Sequence, residues 1–201
     1  VTRQRIPNLG GARAVILHRP HDVVDALARQ LSAIGLVPEP CWPDLPASVV
    51  AADFLFFDAD MGFDAQFPWA AGAAPLPTIM LIGSEAPGRI EWALSREANA
   101  QLLKPVGSAG VYSSLLIARQ TFERRMQQTA EIETLRERVA ERQTIVRAVA
   151  VLGGDGGEEA GFDRLRHLAM DWRVTMEEAA ARVMAASGEP PRTGPAKRRA
   201  G

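Results

Sequence analysis

The sequence predicts an α/β domain, then one long helix, then a small all-helical module, and three observations predict it. Over the first hundred residues, short apolar runs of strand length alternate with helix-patterned segments, the mark of a parallel sheet covered on both faces. Residues 108–152 contain no proline, and their only glycine is Gly110, near the start. From Thr121 that stretch is rich in Glu, Arg, Gln, Ala and Leu, which are good helix formers. Beyond the glycines of 153–157, two shorter helical patterns precede a basic, Pro-rich end.

The elements follow in order. Residues 1–11 read as a loose lead-in, and 13–18 (RAVILH) as a buried strand. Asp22 is a candidate cap for a helix with Val23, Val24, Leu27, Leu31 and Ile34 at helical spacing, stopped by Gly35. Residues 37–42 form a proline-interrupted strand suited to a sheet edge. Residues 48–52 make at most a short helix. FLFF (54–57), ending at Asp58, is the clearest buried strand, and 61–75 carry too much Gly, Ala and Pro to assign. Residues 77–83 are a fourth strand, 90–98 a helix and 101–103 a fifth strand running into Lys104-Pro105. In such sheets chemistry gathers at the carboxyl ends of the strands, here His18, Asp58, Gly83-Ser84 and Lys104.

An unbroken helix over 108–152 would be about 65–70 Å long. Its second half carries Ile132, Leu135, Val139, Val146 and Val149 at steps of three, four and seven, with Arg142 in the register. That stripe is too narrow for a globular core and suits a partner helix, so Ile132, Leu135, Val139 and Val146 are the candidate homodimer seam of a coiled coil. The GGDGG run should break the helix. A helix over 158–172 then buries Phe162, Leu165, Leu168 and Ala169. The last helix, 176–186, is capped by Thr175 with Glu178 three residues on, and buries Met176, Ala179, Ala180 and Val183. The tail from 188 reads as disordered and basic, with Lys197-Arg198-Arg199 near its end.

The totals exclude little. At 201 residues with 47% apolar residues, the chain holds one average domain and an appendage, and general disorder is ruled against. A net charge of −1 is compatible with a basic face on one module. Cys41 is the only cysteine, and His18, His21 and His167 lack metal-ligand spacing, so no disulfide, metal site, cofactor or catalytic group is expected. Core or interface packing is the expectation for Trp42, Trp69, Trp92 and Trp172. The opening VTRQRIPNLGG has no signal-peptide core and no run approaches a membrane span, so a cytoplasmic protein with no membrane association is expected.

Two segments carry a resemblance to known families. FLFFDAD resembles the third strand of a response-regulator receiver domain, with Asp58 at the phosphoacceptor position, and LLKP resembles the fifth strand with its Lys104-Pro105 pair. This resemblance covers roughly residues 12–118 and implies a receiver-like (flavodoxin-like) fold. A working receiver holds Mg²⁺ with an acidic pair after the first strand, where this chain has His18, Arg19 and Pro20. It also ends the fourth strand in Thr or Ser, where this chain has Ile82-Gly83 with Ser84 next. The resemblance therefore implies a pseudo-receiver in which Asp58 is a structural carboxylate paired with Lys104.

LRERVAERQTIVRA (135–148) and FDRLRHLAMDWRVTMEEAAARV (162–183) resemble the ANTAR domain, an RNA-binding module of bacterial antiterminators. The matching positions are Leu135, Ala140, Arg142, Ile145, Ala148, Phe162, Leu165-Arg166 and Ala179-Ala180. Where the family's first helix has Ala-Lys-Gly-Ile-Leu-Met, this chain has Ala148-Val149-Ala150-Val151-Leu152-Gly153, with Val149 in place of the lysine.

The order pseudo-receiver (1–118), coiled-coil linker (119–137), ANTAR module (138–187) and tail (188–201) is that of the AmiR/NasT-type antiterminators. It implies a non-enzymatic regulator that binds leader mRNA hairpins as a dimer. Control would come from a small-molecule-sensing partner, of the periplasmic-binding-protein-like (AmiC-like) kind known for the amidase operon. The cations that could meet RNA are Arg138, Arg142, Arg147, Arg164, Arg166, His167 and Arg173. Two other readings compete: a protein–protein regulator that has lost RNA binding, motivated by Val149 and the GGDGG loop, and a phospho-switched regulator, motivated by Asp58 and Lys104.

Overall fold

A computed structural model describes residues 8–188, and the chain divides into two compact units, Val1–Gln127 and Gln128–Gly201. The basic tail from 189 onward, with Lys197-Arg198-Arg199, lies outside the described residues.

In the first unit five parallel strands are ordered β2-β1-β3-β4-β5. They are β1 (Arg13–Leu17), β2 (Val37–Cys41), β3 (Phe54–Asp58), β4 (Thr78–Ile82) and β5 (Ala100–Leu103). The prolines of β2 explain its edge position. Val37 donates to Ala12 O and Cys41 accepts from His18 N–H, so the odd residues of β2 face β1. Pro38 and Pro40, which have no N–H, face outward, where no strand needs one.

Strand alternation divides the core in two. Ala14, Ile16, Phe54, Phe56, Ile79 and Leu81 pack with Leu27 and Leu31 of α1 (Asp22–Ile34) and with Val111, Leu115 and Ala118 of α3 (Val111–Gly153). Val15, Leu17, Leu55, Phe57, Met80 and Ile82 pack with Val49 of a 3₁₀ turn (Ala47–Ala51) and Ala93 of α2 (Pro87–Ser95).

Several local expectations change. The cap of α1 is His21, whose Nδ1 accepts from Val23 N–H at 3.2 Å, while Asp22 is already helical. Gly35 does close α1, at φ 98° with its N–H directed to the carbonyls of Leu31 and Ser32. Helix α2 starts three residues earlier than the pattern suggested, because Pro87 is preset for a first helical position. The unassigned 61–75 hold only a 3₁₀ turn, Asp64–Gln66, steadied by Gln66 Nε2 donating to Pro43 O at 2.7 Å. Phe57, Phe67, Trp69 and Trp92 form an aromatic cluster there, with Phe57–Phe67 and Phe57–Trp92 centroids 5.6 and 5.9 Å apart. Trp42 and Trp172 are about 40% exposed, so neither is a core residue of this chain.

Helix α3 has 43 residues and runs without a break through 119–137. In the second unit its end packs with α4 (Gly157–Trp172) and α5 (Met176–Ala186). The glycine run interrupts less than expected: α3 continues to Gly153, Gly154–Gly156 form a 3₁₀ turn, and α4 begins at Gly157. The core comprises Ala148, Val149, Leu165, Ala169, Ala179, Ala180 and Met184. Phe162 is not in it. At 49% exposure it lies beyond the buried face, which runs through Gly161, Leu165 and Ala169. Met176 and Val183 are only partly buried, and Met184 takes the inner place on α5. The Thr175 hydroxyl accepts from Glu178 N–H at 3.2 Å, while the Glu178 carboxylate pairs with Arg182 at 2.6 Å.

Candidate functional site

Two regions carry chemistry. The first is the carboxyl edge of the sheet. Each of β1, β3, β4 and β5 delivers one end to the same place, and His18, Asp58, Ser84 and Lys104 line a common pocket with Asp60. Asp58 is 2% exposed, and Lys104 Nζ donates to its Oδ1 at 2.7 Å. Asp58 and Lys104 thus form a largely buried ion pair.

Asp60 is the residue that sequence reading missed. Its Oδ2 lies 2.6 Å from Lys104 Nζ and accepts from Gly83 N–H at 2.8 Å, and its Oδ1 accepts from Ser84 N–H at 2.9 Å. Its own N–H donates to Asp58 Oδ1 at 3.0 Å. Partial burial pushes the Asp60 carboxyl up. Hydrogen bonds and charge from Lys104, with the amides of Ser84 and Gly83, outweigh that and hold it below the usual carboxylate range. The available signal was the second aspartate of FLFFDAD, two residues past the strand end.

His18 closes the pocket from β1. Its Nδ1–H donates to Arg19 O at 2.6 Å, and its Nε2 stands 3.3 Å from Asp58 Oδ2. That approach is close enough for an ion pair if the ring is protonated but is not aligned as a hydrogen bond. The donor set does not fit Mg²⁺. One ammonium sits between both carboxylates, an imidazole stands at the β1 end, and hard-cation coordination requires several free oxygens.

The second region is the surface of the helical unit. Ile132, Leu135, Val139 and Val146 are about half or more exposed, on one side of α3. Val149, read in the sequence as part of that stripe, instead joins the core at 4% exposure. At 100° per residue, the buried face of Ile145, Ala148, Val149 and Leu152 lies about a third of a turn from the exposed stripe. One helix thus serves two surfaces. Arg142 and Arg147 border the stripe beside Val139, Gln143 and Val146.

The candidate cations are not equivalent. Arg138 and Arg142 are exposed on α3, and Arg147 is half-buried. Arg164 Nη1 donates to Leu152 O at 2.6 Å, so it caps the end of α3. Arg166 and His167 are exposed on α4, with His167 Nδ1–H donating to Asp163 O at 2.8 Å. Arg173 ends α4 in the left-handed conformation at φ 54°. Phe162, Arg166 and Met170 recur every four residues along one exposed strip of α4, ending at Arg173. An exposed aromatic one turn from an arginine is a surface that can stack on unpaired bases.

Comparison with known proteins adds to this geometry. A family profile described as AmiR, N-terminal, matches residues 12–119, and one described as the ANTAR domain matches residues 133–184. The chain belongs to the AmiR/NasT type of ANTAR regulators. The aliphatic amidase regulator of Pseudomonas aeruginosa is 27% identical over 143 residues, which cover 70% of this chain and 73% of that protein. Among solved structures, full-length FixJ from B. japonicum superposes with a TM-score of 0.44 at 19% identity, over 88% of this chain and 89% of its own. The Rec1 segment of ShkA, crystallised with c-di-GMP, gives 0.42 at 24% identity, over 54% and 93%. Family membership makes this an antitermination regulator of the RNA-binding class. Among the described residues no helix is long and apolar enough to cross a membrane.

Proposed function

We propose that this protein is a cytoplasmic, non-enzymatic antiterminator that binds tandem hairpins in a leader transcript as a dimer, and that a ligand-sensing partner protein controls it rather than phosphorylation. The observation that carries the mode of control is the sheet-edge pocket. Phosphoryl transfer to Asp58 needs charge neutralisation by a metal held on carboxylates, but Lys104 already bridges Asp58 and Asp60. His18 stands at the end of β1, where a metal-binding carboxylate would be needed.

The exposed stripe Ile132, Leu135, Val139 and Val146 supplies the dimer seam, burying apolar surface that one chain leaves in water. Helix α3 belongs to both units, so a partner acting on the receiver-like unit can alter the pairing of two such helices. That pairing sets the spacing of two RNA-binding surfaces, built from Arg138, Arg142 and Arg147 on α3 and from Phe162, Arg166, His167, Met170 and Arg173 on α4. Holding a hairpin that competes with a terminator would let the polymerase continue. Val149 points into the core, so the family lysine missing there leaves these exposed cations in place. The reading without RNA binding then rests on the GGDGG loop alone.

The test is binding to a two-hairpin leader RNA across a salt series. Wild type should bind at low salt, with affinity falling linearly in log salt, and Arg142→Ala and Arg166→Ala should each weaken binding and reduce the slope by about one. Absence of affinity at low salt would end the proposal. A true phospho-switch would show itself as modification of Asp58 by acetyl phosphate and Mg²⁺.

A further inference from the structure

We infer that Arg138 and Arg142 from two paired copies of this chain make one site for RNA phosphate groups, astride the line where the α3 seam ends. Such a site rests on dimerisation through α3 and on RNA binding as proposed above. A single chain holds only half of it.

Ile132, Leu135, Val139, Arg142 and Val146 follow one another at steps of three, four, three and four, the a and d places of a coiled coil. Glu131 and Arg136, both exposed, then take the flanking g and e places. In a parallel pair each g residue meets the e residue of the next heptad, so Glu131 of one copy stands opposite Arg136 of the other. Within one chain Arg136 reaches Glu133 only at 3.4 Å, in an exposed contact of little worth. Charge complementarity therefore favours the parallel arrangement, in which every seam residue faces its own equivalent.

That arrangement sets Arg142 against Arg142. The residues three and four positions from it are Arg138, Val139, Ile145 and Val146, so α3 offers it no carboxylate at the spacing of a helical ion pair. Arg138, in the g place one turn earlier, adds a second cation from each copy. Val139, Arg142, Gln143, Val146 and Arg147 line a groove of about 500 Å³ on each chain. The next place in the register, Val149, is withdrawn into the core with α4 and α5, so the seam cannot continue past Val146. Like charges at the end of a seam weaken pairing unless an anion lies between them. Guanidinium forks bind phosphate oxygens in pairs, and the Gln143 amide in the e place supplies a further donor. A phosphate held there offsets the repulsion, so pairing of the helices and RNA binding favour each other.

The experiment measures the dimer dissociation constant by analytical ultracentrifugation, in sodium chloride and in inorganic phosphate of matched ionic strength. It also measures affinity for a two-hairpin RNA at protein concentrations above that constant. Wild type is compared with Arg142→Leu and Arg166→Leu. Arg142→Leu should tighten the dimer at least about tenfold in chloride, because leucine suits a d place. The same variant should weaken hairpin binding at least about tenfold. Phosphate in place of chloride should tighten the wild-type dimer at least about threefold and leave the Arg142→Leu dimer unchanged. Arg166→Leu should weaken RNA binding alone. A dimer no tighter in Arg142→Leu would overturn the inference and leave dimerisation and RNA binding standing. So would a tighter dimer with undiminished RNA affinity, or a wild-type dimer indifferent to phosphate. A monomeric wild type, or a dimer without hairpin affinity at low salt, would remove the site together with the dimer or RNA reading beneath it.

Discussion

Gly161 meets the carbonyl of Val149 so closely that a Cβ on Gly161 would stand 2.1 Å from that oxygen and 2.9 Å from the amide nitrogen of Gly153. Helices α3 and α4 cross backbone to backbone at this point. Gly161→Ala must push the helices apart, and overpacking of this kind costs about 1–3 kcal/mol. Urea denaturation followed by amide signals of α4 and α5 should show the second unit losing that much, while the β-sheet unit, followed by amide signals of β3, is unchanged.

The stripe on α3 leaves Ile132, Leu135, Val139 and Val146 exposed in one chain. In the proposed dimer, Leu135→Asp or Val139→Asp puts a charge into the helix–helix seam, where it must be desolvated. The dimer dissociation constant, measured by analytical ultracentrifugation, should rise at least about a hundredfold, equivalent to roughly 3 kcal/mol. Far-UV circular dichroism at high concentration should retain the helical signal of the two shorter helices. A chain monomeric before mutation would contradict the seam.

Phe162 lies half exposed on the strip of α4 that also carries Arg166 and Met170. If it stacks on a loop base, Phe162→Ala should weaken hairpin binding by about 1–3 kcal/mol without changing the salt slope. That separates stacking from the loss of a phosphate-contacting arginine, which lowers the slope. Phe162→Tyr should bind nearly as wild type.

The depressed Asp60 carboxyl gives a pH dependence with a definite sign. A group whose folded value lies below its unfolded value near 4 stabilises the fold above that pH, and the contribution disappears as pH falls through the lower folded value. Asp60→Asn should therefore be less stable than wild type by a constant amount from pH 8 to about pH 5. The gap should narrow below pH 4 in urea titrations at matched ionic strength. A gap that widens on acidification would contradict the assignment.

Cys41 ends β2, where burial first and the Glu39 carboxylate second push its thiol up to about 11. At pH 8 the thiolate fraction is then over about a hundredfold below that of an ordinary thiol. Reaction with a disulfide reagent should be correspondingly slow in the folded chain and become normal in urea, as a stopped-flow comparison would show.

Much of this architecture was legible because it rests on local rules. FLFF and IMLI are apolar without interruption, which suits strands covered on both faces, and the two prolines of β2 can be tolerated only at an edge. Gly35 and Thr175 end and begin helices through their own backbone and hydroxyl chemistry. Asp58 and Lys104 were recognisable because each terminates a strand at the same edge. Asp60 was not. It lies two residues beyond its strand, and nothing near it in the chain reveals that Gly83, Ser84 and Lys104 converge on it.

The helical unit divides in the same way. Periodicity identified α3 and its apolar positions, but Val139 and Val149 look alike in a sequence, and only packing against α4 and α5 makes one exposed and the other core. The same holds for Phe162, an aromatic at helical spacing whose neighbour, Gly161, takes the inner place because only a residue without a side chain fits against Val149. The sequence by itself determined which elements form, their order and the family. The tertiary structure decided which charges pair and which face of each helix stays in water. Those outcomes depend on atoms brought together from distant parts of the chain.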